Sequence, residues 1–74
     1  MRDMKTEAIL AEMKKLRGIV KELSESSLNL IRISNMGERH EKAWLCAYEV
    51  NQHAHDMLKS IDRTESTVRN ERYK

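Results

Sequence analysis

Few residues of this chain could do chemistry: one cysteine, Cys46, three histidines, His40, His53 and His55, and twelve carboxylates. Glu49 and His53 have helical i, i+4 spacing with Cys46 on the same face, and carboxylate, imidazole and thiolate are all metal ligands. A closed site needs a fourth ligand, however, and nothing elsewhere repeats the pattern. His53 and His55 are two residues apart, on nearly opposite sides of a helix, so they cannot chelate together. Cys46 and His53 lie two helical turns apart, beyond the ~3 Å reach of a thiol and its base. Glycine-rich phosphate loops, nucleophile elbows and paired zinc-ligand motifs do not occur in the sequence. We therefore expect no metal, no cofactor and no enzymatic activity.

Binding is the remaining kind of function. Lys14, Arg17 and Lys21 make a basic stripe at helical spacing, and Arg63, Arg69 and Arg72 make a second basic cluster. Together they are the candidate nucleic-acid contacts. Glu7, Glu22 and Glu25 balance the first cluster, Glu65 and Glu71 interrupt the second, and no aromatic side chain interleaves the stripe for base stacking. The net charge of +2, from 14 basic and 12 acidic residues, is too even to select a polyanionic partner. Trp44, Leu45 and Tyr48 form the other candidate. Three large side chains so close together either pack in a core or present an anchor for a protein partner.

These residues must be positioned by helices. The chain is 35% charged and has no proline, no phenylalanine and two glycines, a composition that favours an all-α fold. From Thr6 to Ser34, the residues Thr6, Ile9, Met13, Leu16, Val20, Leu23, Ser27, Leu30 and Ser34 alternate three and four apart, which is a heptad seam. Ile9, Leu16, Leu23 and Leu30 form its d column, and Leu10, Ile19, Ile31 and Ile33 widen the stripe beyond a two-stranded zipper. A second seam runs through Ala43, Ala47, Val50, Ala54, Met57, Ile61, Thr64 and Val68. Small side chains there suit a close approach to the leucine-rich seam.

The expected architecture is an antiparallel two-helix hairpin forming one domain. Its helices span about residues 3–34 and 38–66, with a turn over 34–38 and a frayed basic tail over 67–74. Gly37 supplies positive φ for the turn, and Asn35 with Glu38 resembles a capping box. The alternative is a three-helix monomer with a break at Ser24-Glu25-Ser26-Ser27, a run of weak helix formers. The unbroken heptad phase from Leu23 to Leu30 favours one continuous helix.

A lone hairpin of this length leaves much of its apolar stripe wet, so pairing into a homodimeric four-helix bundle is the expected quaternary state. No apolar run reaches the ~18 residues of a membrane span, so no membrane partner is expected, and one cysteine suits the cytoplasm. The functional expectation is a small protein-binding regulator, inhibitor or adaptor that meets a larger protein through Trp44, Leu45 and Tyr48. A dimeric nucleic-acid binder and a structural homo-oligomeric assembly module are the alternatives.

Overall fold

The computed structural model describes residues 4–71 as two helices packed against each other as a hairpin, α1 (Met4–Ser34) and α2 (Glu41–Glu71). Helix α1 passes through Ser24–Ser27 without interruption, so the three-helix arrangement does not form. The reason lies in what these serines touch. Ser24 and Ser27 are buried against α2, and the Ser27 hydroxyl donates to the Ser24 carbonyl at 2.7 Å. The hydroxyl is thereby satisfied within the helix while its small size admits the neighbouring backbone.

Helix α1 ends where expected. The Asn35 amide reaches the Ile31 carbonyl at 3.2 Å, the Met36 amide reaches the Ile33 carbonyl at 3.1 Å, and Gly37 takes φ +62°. A side chain at that φ would be strained, which explains glycine there. The capping box of Asn35 and Glu38 is not what starts α2. His40 does so instead: its Nδ1 accepts from the Ala43 amide at 3.3 Å and its carbonyl accepts from the Trp44 amide at 2.9 Å. The turn therefore spans more residues than expected, and the His40 amide closes it by donating to the Ser34 carbonyl at 2.9 Å.

Helix α2 also runs past the point where fraying was expected. Thr64 and Thr67 hydroxyls return to the carbonyls of Ser60 and Arg63, and Arg69 pairs with Glu65 one turn before it. These local contacts carry the helix on to Glu71.

The core is narrow. Val20, Ala54 and Ile61 are buried together, with Met13 and Leu58 packed on them, and Ala47 and Ala54 are 0% exposed. Alanine-bearing α2 does approach α1 closely, but the surface it meets differs from the expected one. The leucine column is turned aside: Ile9, Leu16, Leu23 and Leu30 remain 39, 48, 43 and 39% exposed. The neighbouring column, Leu10, Arg17, Ser24 and Ile31, faces α2 in its place, each buried or half-buried. On α2 the same rotation brings in Asn51, Leu58 and Glu65 and leaves Met57 and Thr64 exposed. No helix among the described residues is long and apolar enough to cross a membrane.

Candidate functional site

The aromatic cluster sits at the turn end of the hairpin, where the His40 cap fixes the first turn of α2. Trp44 lies one residue after Ala43 on the half-buried edge of α2, and Tyr48 follows one turn later. Their rings stack with centroids 5.4 Å apart and planes 18° from parallel. The Arg39 guanidinium lies 4.6 Å from the Trp44 ring centroid, held there by 2.7 Å contacts to the Glu41 carboxylate. A cation over an indole face that is also paired to a carboxylate is restrained from two sides. Tyr48 and Leu45 are 46 and 49% exposed. Leu28 of α1 is also exposed and, on the register set by Ser24 and Asn51, stands level with Tyr48. The result is a preformed surface of two stacked rings, a guanidinium and two aliphatic side chains. Such a surface can seat a helix or loop of another protein, since Trp, Tyr and Arg lose little freedom when already ordered. Sequence reading singled out Trp44, Leu45 and Tyr48. It passed over Arg39 and Leu28, because a turn arginine and a leucine twenty residues away in sequence give no local sign that they join the cluster.

Three of the basic candidates, Lys14, Arg17 and Arg69, line one open concavity together with Glu7 and Glu65, and Arg63 stands apart from it. Arg17 does not project from a phosphate-binding stripe: it reaches across the hairpin to Asp62 and to Glu65, the latter at 3.0 Å. Glu65 is 3% exposed and also pairs with Arg69 at 3.4 Å. A nearly buried carboxylate needs such partners, so Arg17 and Arg69 are committed to the fold. Lys14 and Lys21 stand exposed on the side of the hairpin where this cluster opens. Arg63 precedes Glu65 by two residues, which turns it away from α1 and apart from those lysines. Arg72 lies outside the described residues.

No group of three or more His, Cys, Asp or Glu side chains close enough to hold a metal ion occurs among the described residues. Cys46 is exposed and borders a shallow apolar groove of about 210 Å³ with Leu23, Leu30 and Val50. That groove is the second feature sequence reading did not resolve. Leucines assigned to the hairpin seam line it, because the helices meet along the adjacent column. No family model, curated protein or solved structure matches the chain.

Proposed function

We propose that this chain is a non-enzymatic protein-binding regulator or adaptor that works as a homodimer of hairpins forming a four-helix bundle. The observation that carries the reading is the imbalance between core and surface. Among the described residues no large side chain is fully buried, while twelve large apolar ones are exposed. Apart from Met4 and Met36, they gather in two areas, the leucine column with its neighbours on one side and the aromatic cluster at the turn end. Exposed apolar surface of this extent on a small chain marks protein contact. The leucine column suits the second hairpin, and Trp44, Leu45 and Tyr48 suit a larger protein whose surface the bundle would occlude. A lone exposed thiol accords with a reducing cytoplasm.

A nucleic-acid-binding hairpin is the weaker reading, because Arg17 and Arg69 already pair with Asp62 and Glu65, whose carboxylates offset their charge. Affinity capture from the native host, run in parallel with the wild type and Tyr48→Ala, separates the two. A protein retained by the first and lost with the second supports the proposal. Recovery of nucleic acid alone, released steeply between about 50 and 200 mM salt, would replace it.

A further inference from the structure

The leucine face holds enough information to orient the dimer. Taking the homodimer reading as its basis, we infer that the second copy docks on the Ile9, Leu16, Leu23 and Leu30 face with its turn at the opposite end, so that α1 lies antiparallel on α1 and α2 on α2.

Area argues for a second copy as the occupant. The chain exposes 6126 Å² at a mass of 8.7 kDa. A compact monomer of that mass exposes about 4,700 Å², so the excess is roughly 1,400 Å². Two copies each hiding that much would share an interface of about 2,800 Å², inside the range of obligate homodimers. The face is continuous across both helices, since the groove beside Leu23 and Leu30 is closed on its other side by Cys46, Ala47 and Val50.

Symmetry and charge argue for the orientation. Two hairpins stacked face to face by a two-fold axis have two choices, turns at opposite ends or turns at the same end. Ile19 is the middle residue of α1 and is exposed beside the leucine column. With turns at opposite ends the axis passes Ile19, Leu16 meets Leu23 of the second copy, and Ile9 meets its Leu30. Asn51 lies level with Ser24 and Asp62 with Arg17, which brackets Ile19 between residues 56 and 60 of α2. Met57 lies within that span, so the same axis passes close to Met57 on α2. Beyond the apolar columns, on the outer edge of each helix, come Lys15 and Glu22 on α1 and Glu49, Asp56 and Arg63 on α2.

Turns at opposite ends bring Lys15 against Glu22 of the second copy and Glu49 against its Arg63, each pair occurring twice. The one like-charged contact is Asp56 with itself at the axis. Turns at the same end stack α1 on α2 of the second copy in the register already seen within the hairpin. That choice sets Lys15 against Arg63 and Glu22 against Asp56, both like-charged. Complementary charge therefore selects the first arrangement.

A spin-label distance in the full chain tests this. With Cys46→Ser and Glu38→Cys, a nitroxide at each turn is read by pulsed dipolar spectroscopy after sedimentation has established the mass. Ser34 is fifteen residues from the axis, so turns at opposite ends place the labels about 45 Å apart at 1.5 Å per residue. Turns at the same end place them within about 25 Å, as diagonal neighbours of a bundle with 8–10 Å between adjacent axes. A dimer with the short distance overturns the orientation and leaves the homodimer reading intact. A monomer at all concentrations overturns both.

Charge reversal gives an independent sign. Lys15→Glu should raise the dimer Kd about three- to tenfold, because the exposed pair occurs twice, and Lys15→Glu/Glu22→Lys should restore it. The Lys15–Glu12 contact within α1 is lost in both variants, so rescue reports the contact between copies. Tighter association of the single variant would point to Arg63 as the neighbour and overturn the orientation.

Discussion

The two halves of the hairpin bury polar groups by different physics. Toward the turn, Asn51 inserts between the helices and its amide donates to the Ser27 hydroxyl at 3.0 Å and to the Ser24 carbonyl at 3.3 Å. Everything there is neutral and small, and Ala47, buried completely, lies one turn before Asn51. Toward the open end, Arg17 spans to Asp62 and Glu65, with Arg69 on the other oxygen of Glu65. Between them lie Val20, Ala54 and Ile61. The comparison teaches that matched polar pairs, one neutral and one ionic, fix how α1 and α2 are rotated and how they are aligned. A neutral pair and an ionic pair should nevertheless respond differently when broken. An unpaired buried charge costs far more than an unpaired amide, whereas removing both charges together can be close to neutral.

Substitutions probe that difference, each read by chemical denaturation at one fixed protein concentration because association is linked to folding. The largest effect is expected where both halves meet. Ile61→Ala should cost about 2 to 4 kcal/mol, since a buried isoleucine is removed from a core with little else to collapse into the gap. Next comes the ionic half. Arg17→Met leaves Glu65 with Arg69 alone and should destabilise by about 1 to 3 kcal/mol, below the full figure for a buried pair because Arg17 is partly exposed. Arg17→Met/Glu65→Met should recover most of that loss. If the double variant is as unstable as the single one, the ionic cluster contributes through packing and the contrast between the halves dissolves.

The neutral half should respond more mildly. Asn51→Ala removes two hydrogen bonds but strands no charge, for an expected loss of about 1 to 2 kcal/mol. A loss exceeding that of Arg17→Met would reverse the ranking of the two clusters. The smallest effect is expected at the turn that joins the halves: Gly37→Ala should cost about 1 kcal/mol, the penalty of a Cβ at φ +62°, with nothing nearby to clash. Gly37→Asn should cost less, as asparagine tolerates that conformation better. Equal losses for the two would assign the cost to something other than backbone strain.

The sequence by itself determined whatever depends on neighbours three or four residues apart. Two unbroken heptad patterns, a glycine between them and no proline are enough to give two helices and a turn, because helix formation and the left-handed turn residue are local matters. That Leu45 and Tyr48 lie off the alanine seam was legible for the same reason, but their exposure was not, since such side chains can also pack in a core. Which column of α1 meets α2 was not legible. Hydrophobicity ranks Ile9, Leu16, Leu23 and Leu30 first, yet a column containing Arg17 and Ser24 took their place. That outcome is a property of pairs: Arg17 enters the interface because Asp62 and Glu65 wait on the other helix, and Ser24 and Ser27 because Asn51 does. The same holds in part for the site, where Leu28 of α1 comes level with Tyr48 only once the hairpin has closed. A helical period fixes which residues share a face, but burial of a polar side chain is favourable only beside its partner, and partners 24 to 48 positions apart come together only in the tertiary structure.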